Sequence, residues 1–183
     1  MMSNVLIAII VEGNAEQAIV DVLLKHHALI YGREDLLQEE VIRTRSASSF
    51  SKKYLNKSMN KMVRIYRVLD SKTENFKLSK VYQKKVELPI NNLYTTPEIE
   101  ILFILYHDDI NKYKRSKLKP SSFVKQNYSD LAKVKSYKDV FDFWDNHFLE
   151  LIQALKKYKS SNSDNNALYD IINEDTKRKV SNK

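Results

Sequence analysis

The chain contains no cysteine, which excludes a disulfide scaffold and every cysteine-ligated zinc or iron–sulfur centre. Four histidines leave little for a histidine-rich metal centre. No apolar run approaches the ~20 residues that a bilayer span requires. The first apolar stretch is short, has no basic leader and runs straight into Glu12, so the sequence predicts a soluble, unprocessed, reduced cytoplasmic protein that makes no use of a membrane. Only two glycines and three prolines punctuate 183 residues, so each carries weight as a turn signal. This length predicts one domain whose core needs no staple.

Positive charge is what the chain has in excess, with a formal net charge of +8. Between Val41 and Leu69 lie Arg43, Arg45, Lys52, Lys53, Lys57, Lys61, Arg64 and Arg67, with no Asp or Glu among them. These eight cations equal the whole excess. Ser46, Ser48, Ser49, Ser51 and Tyr54 are interleaved with them, hydroxyls suited to phosphate oxygens. A second acid-free cluster comprises Lys112, Lys114, Arg115, Lys117 and Lys119. Basic segments of this kind suit a polyanion, through counterion release and phosphate contacts. For the first cluster nucleic acid is the favoured partner; for the second a solvated face weighs equally. Backbone electrostatics are shared by DNA and RNA, so the reading takes in both, and a monomer or an oligomer alike.

The run Asn4–Val11 (NVLIAIIV) has the length and β-branching of a buried parallel strand and ends at Glu12-Gly13-Asn14. Helical spacing of Ile19, Val22, Leu23, His26 and Ile30 predicts a helix from Ala15 to about Tyr31, with Asn14 as N-cap and Gly32 as its stop. Val41–Arg45 reads as a short strand, Ser51–Met59 as a basic helix or loop, and Met62–Leu69 as a second strand adjacent to the first. Val81–Leu88 reads as a third strand ended by Pro89. Thr95-Thr96-Pro97-Glu98 matches a capping box before a helix over Ile99–Tyr106, and a short helix is expected after Pro120. Phe141, Trp144, Phe148, Leu151, Ile152 and Leu155 form one stripe, predicting a single long helix over Lys138–Tyr158. Residues 1–158 are thus expected to form one α/β domain, a parallel sheet flanked by helices with a helical C-terminal part, and residues 159–183 a polar linker and fraying tail.

Glu12-Gly13 is the most informative pair, an acid and one of two glycines at the carboxyl end of an apolar strand. Ligands of open α/β sheets bind there, and Asp70 ends the other strand in the same way. Two carboxylates at neighbouring strand ends suit a hard divalent cation, and Glu16, one helical turn on, is a third oxygen donor or merely a first-turn acid favoured by the helix dipole.

The segment IAIIVEGNAEQAIVDVLL resembles the opening of Toprim domains, above all the small ones related to the overcoming-lysogenization-defect nucleases and the RloB-like proteins of phage-defence (abortive infection) loci. Their first motif is an apolar strand, Glu-Gly, then a helix bearing a further Glu. Their second is Asp-x-Asp at a later strand end, matched here by Asp70-Ser71-Lys72. Lys72 stands where the second Asp belongs, with Glu74 as a substitute carboxylate; the lysine reads either as a phosphate contact or as a sign of lost catalysis. TTPEIEILFILYHDD resembles the later RloB-like helix whose Glu faces the site, which places Glu100 there with His107 on the same helical face. The resemblance covers residues 4 to about 128. It implies a Toprim-like, Rossmann-like fold and Mg²⁺- or Mn²⁺-dependent nuclease chemistry. Glu12, Asp70 and Glu100 would be catalytic, and Glu12, Asp70, Glu16 and Glu74 metal ligands. Arg43, Arg45, Lys52, Lys53, Lys57, Lys61, Lys72, Lys114, Arg115 and Lys117 would lie on nucleic acid. A separately encoded ABC or SMC-like ATPase is the implied partner, in a toxic effector system.

Overall fold

Continuous apolar runs become the sheet interior. The computed structural model describes residues 5–73, 75–131 and 133–181. Strand β1 is Val5–Val11, followed by helix α1 (Asn14–Lys25), strand β2 (Ile42–Arg43), helix α2 (Ala47–Phe50) with a π-helical turn over Ser51–Leu55, and strand β3 (Met62–Leu69). Helix α3 (Lys80–Gln83) and strand β4 (Val86–Tyr94) come next. Helices α4 (Ile101–Tyr106), α5 (Ile110–Ser116), α6 (Pro120–Asn127), α7 (Tyr137–Asn146), α8 (Phe148–Ser161) and α9 (Glu174–Ser181) complete the order. Among the described residues the four strands form one all-parallel sheet, β2-β1-β3-β4. The expected α/β class, the central pairing of β1 with β3 and the helical C-terminal part are all present.

Alternation along the strands sorts side chains into two layers. Ile7, Ile9 and Val11 of β1 and Tyr66 and Val68 of β3 face the thick helical layer, where Ile19, Leu23, Phe103, Trp144 and Leu151 pack. Ala8 and Ile10 with Val63 and Ile65 face a thinner layer of Phe50, Tyr54, Leu55 and Leu78. The chain leaves β1 for β2 in one direction across the sheet, then crosses back to β3 and β4. That reversal puts a topological switch point between β1 and β3, the place where open α/β sheets hold ligands beyond their carboxyl ends. No described helix is long and apolar enough to cross a membrane.

Several elements depart from expectation for identifiable reasons. Helix α1 stops at Lys25, not near Gly32, because His27 adopts a left-handed conformation (φ 50°) and Ala28 N donates to Leu23 O at 2.9 Å, the geometry of a Schellman stop. The third strand starts at Val86 and runs through Pro89. It is an edge strand, and a register shift opposite Arg64–Tyr66 places the proline in a bulge where no ladder donor is needed. The capping box at Thr95 does not form: Thr95 N extends the sheet by donating to Leu69 O, and Glu98 Oε2 accepts from Ser121 N in α6. The long helix is two, α7 and α8, broken at His147 (φ −120°, ψ 44°) so that one half packs on α1 and the other on α4. Residues 167–180 do not fray. Leu168, Ile171, Ile172 and Val180 are buried in the main core, and Asn173 Nδ2 donates to His27 O and Leu29 O.

Candidate active site at the sheet switch point

Beyond the carboxyl ends of β1 and β3 lies a cavity of about 260 Å³. Gly13, Asn14, Ala15 and Glu16 at the start of α1 line it, with Asp70 after β3, Glu98 and Glu100 before α4, Arg45 after β2, and Lys135. Four carboxylates from three chain segments therefore converge there. A Cβ added to Gly13 would come 2.5 Å from Glu16 Oε2, so glycine lets that carboxylate fold back over the turn; its φ of −126° is ordinary, and no left-handed turn is involved.

Crowding and burial set the protonation of these acids. Burial, opposed by a hydrogen bond to its own backbone and reinforced by Asp70, raises Glu16 above the usual carboxylate range. Glu100 is 4% exposed, and burial, ahead of the neighbouring Glu98 and Glu16 charges, pushes its carboxyl up to about 7. Lys135 and Arg45 oppose the shift at Glu16, and Lys135 opposes it at Glu100. Glu98 is partly committed elsewhere: it caps α6 through Ser121 N at 2.9 Å, and Lys135 Nζ lies 3.9 Å from its Oε1. Glu16, Asp70 and Glu100 are the acids left for a ligand.

Glu12 does not join them. Its side chain is 5% exposed and is not among those lining the cavity; Arg67 Nη2 lies at 3.6 Å, and Arg45 Nε, whose side chain does line it, at 3.5 Å. The cause is strand parity. Glu12 comes next after the Ala8–Ile10 row, which faces the thin layer with Arg67 beside Phe76, whereas Asp70 comes next after the Tyr66–Val68 row, which faces the thick one. Arg67, read as part of the basic surface, is 1% exposed and stacks on Phe76 at 4.5 Å. Arg64 likewise turns to Glu87 at 2.6 Å and to the Tyr31 hydroxyl.

The remaining assigned residues divide. Lys72 is exposed and does not line the cavity, and Glu74 lies outside the described residues. His107 ends α4 and stacks on Tyr128 with ring centroids 3.8 Å apart, away from the carboxylates. Arg43 bonds Asn14 Oδ1 at the rim. Lys52, Lys53 and Lys57 are exposed on the π-helical turn and the loop after it, and Lys61 is half-buried. Lys114 and Arg115 end α5, and Lys117 follows it in a left-handed conformation. Nothing in the polar sequence around Lys135 signals a site, and the Thr95–Glu98 spacing points only to a cap at Glu98. Among the described residues, no three His, Asp or Glu side chains stand close enough to hold a metal ion as placed. The chemistry of the donor set, desolvated carboxylates with oxygen ligands only, nonetheless suits a hard divalent cation. No family model matches the chain, and neither a curated protein nor a solved structure matches it.

Proposed function

We propose that the chain is a Mg²⁺- or Mn²⁺-dependent nuclease of Toprim type that cleaves phosphodiester bonds at the switch-point cavity. The observation that carries this reading is the gathering of Glu16, Asp70 and Glu100 at the carboxyl ends of β1 and β3, with Arg45 and Lys135 beside them. Asp70 and Glu16 would hold the cation, which when bound supplies Lewis-acid stabilisation of the charge developing on phosphate. Arg45 and Lys135 orient the phosphate and offset its charge. A carboxyl poised near neutrality at Glu100 suits proton transfer to or from the attacking or leaving oxygen. The basic clusters give the long-range attraction for a nucleic-acid strand. The Toprim resemblance adds the setting: an effector of an anti-phage system controlled by an ABC or SMC-like ATPase.

A second reading has its own support. Glu12, the Toprim signature acid, is paired with Arg67 and Arg45, and Lys72 occupies the place of the second motif Asp, as in a module that binds nucleic acid or a partner without cutting. The deciding experiment is cleavage of labelled DNA and RNA, transfer RNA included, in Mg²⁺ or Mn²⁺ with and without an ATPase encoded alongside. Asp70→Asn and Glu16→Gln should each lower the rate at least about a hundredfold, the scale of losing a group that acts on transition-state charge. Wild-type protein that binds but never cuts decides for the binding module.

A further inference from the structure

We propose that the carboxylate cavity opens into a two-part groove that holds one unpaired nucleotide of a nucleic-acid strand, its phosphate beside Lys117 and Lys119 and its base in a pocket between α4, α5 and α8. The inference rests on the nuclease reading and names the form of its substrate.

Three cavities share walls in sequence. The second, of about 330 Å³, shares Asp70 and Glu98 with the carboxylate cavity and carries Lys117, Lys119 and Ser71 on its rim. The lysines are exposed, and Lys117 is held in the left-handed conformation (φ 58°) that ends α5 and starts the turn into α6. The third, of about 300 Å³, shares Pro97 and Tyr113 with the second. Its walls are apolar or aromatic, from Ile101, Leu105, Ile110, Tyr113 and Tyr158. Polar side chains from Thr96, Lys114, Ser161 and Asn162 stand among them. Thr96 Oγ1 lies 3.3 Å from the Tyr158 hydroxyl, Asn162 Nδ2 donates to Tyr158 O at 2.9 Å and so leaves Oδ1 as an acceptor, and Lys114 is the cation in its wall.

The order of chemistries along this groove, carboxylates then ammonium groups then flat apolar walls with hydrogen-bonding groups, is the order of a cleaved phosphate, a flanking phosphate and a base. A volume of about 300 Å³ lies at the lower end for small-ligand pockets and takes one ring system with its sugar. A base inside a duplex offers only its edge and enters such a pocket only after leaving the stack. The partly exposed Tyr113 ring favours an unstacked base irrespective of sequence. Duplex without a flipped or frayed nucleotide is therefore excluded from the groove.

The test is equilibrium binding in EDTA, with labelled oligothymidylate, oligouridylate and the matching oligothymidylate–oligoadenylate duplex. Wild-type protein should prefer the single strands. Tyr113→Ala removes a stacking wall, and Ser161→Trp fills the pocket from an exposed helix-end position that does not burden the fold. Each should weaken single-strand binding roughly tenfold, the scale of one lost base–aromatic stack, and leave duplex binding unchanged. If both strand forms bind equally and Ser161→Trp, folded by circular dichroism, changes neither, the base pocket is overturned while the nuclease reading stands. If wild-type protein binds no nucleic acid at low salt, both fall together.

Discussion

Glu100 reports on the cavity through its proton. Its carboxyl is raised from 4.5 to about 7, chiefly by burial and then by the Glu98 and Glu16 charges. The folded chain thus keeps a proton that the unfolded chain releases between these values. This favourable contribution is complete below pH 4.5 and lost as pH rises through 7. At one pKa unit per 1.36 kcal/mol it amounts to about 3 kcal/mol at most. Glu100→Gln should raise stability by about 2 kcal/mol at pH 8 and leave it unchanged at pH 4.5, as read by urea unfolding at the two pH values. Equal effects at both would mean that Glu100 ionises as a free carboxyl. Glu12 contrasts with it. Glu12→Gln removes a carboxylate charge 3.6 Å from Arg67, which is 1% exposed, and should lower stability at pH 7 in the same assay. Glu16→Gln relieves crowding with Asp70 and should cost nothing or stabilise. The two acids of the Glu-Gly segment thereby separate into one beside a buried arginine and one that lines the cavity.

At the scale of elements, packing decides what local pattern does not. The segment 167–180 buries Leu168, Ile171, Ile172 and Val180, and each apolar side chain contributes about 1.5–3 kcal/mol. Their sum rivals the about 5–15 kcal/mol net stability of an ordinary domain. A chain ending at Asn166 should therefore lose cooperative thermal unfolding by circular dichroism, whereas one ending at Val180 should melt as the full chain does. The polar stretch KSSNSDNN concealed this segment, because four scattered apolar residues give no period. Strands β1 and β3 were legible since both faces of each are covered, which writes a continuous apolar run into the sequence. The break at His147 was not: the stripe continues across it while the packing partner changes from α1 to α4. The switch point was legible from Glu12-Gly13 and Asp70, and so were Glu16, Asp70 and Glu100 as acids near it; the absence of Glu12 from the cavity lining was not, because its pairing with Arg67 depends on which layer each strand row faces. Lys135 and Glu98 reach the cavity through tertiary folding alone.

For the whole molecule, the net charge of +8 divides into cations with partners and cations without a structural task. Arg67 is buried beside Glu12 and Arg64 is paired with Glu87 at the surface, so the acid-free segment presents fewer unpaired charges to a polyanion than its sequence suggests. Lys53 keeps a loose pairing with Glu40 at 3.9 Å, while Lys52 and Lys57 are exposed beside it. These three sit on the thin layer of the sheet, above Phe50, Tyr54 and Leu55, whereas Lys117 and Lys119 border the carboxylate side. A strand that only passes through the cavity groove would engage the second set, and one that wraps the sheet edge would engage both. Replacing Lys52, Lys53 and Lys57 together with Glu should weaken binding equally across unrelated sequences. If each lysine neutralises one phosphate, the slope of log K against log salt becomes shallower by about 2 on single strands, at roughly 0.7 per phosphate. The Lys117→Glu, Lys119→Glu double variant should change the slope by about 1.4 on the same basis, and on the nuclease reading it should also lower cleavage, because these lysines would stand beside the reacting phosphate. An unaltered slope in the triple variant assigns that face to solvent or to an acidic protein partner, and confines the strand to the groove.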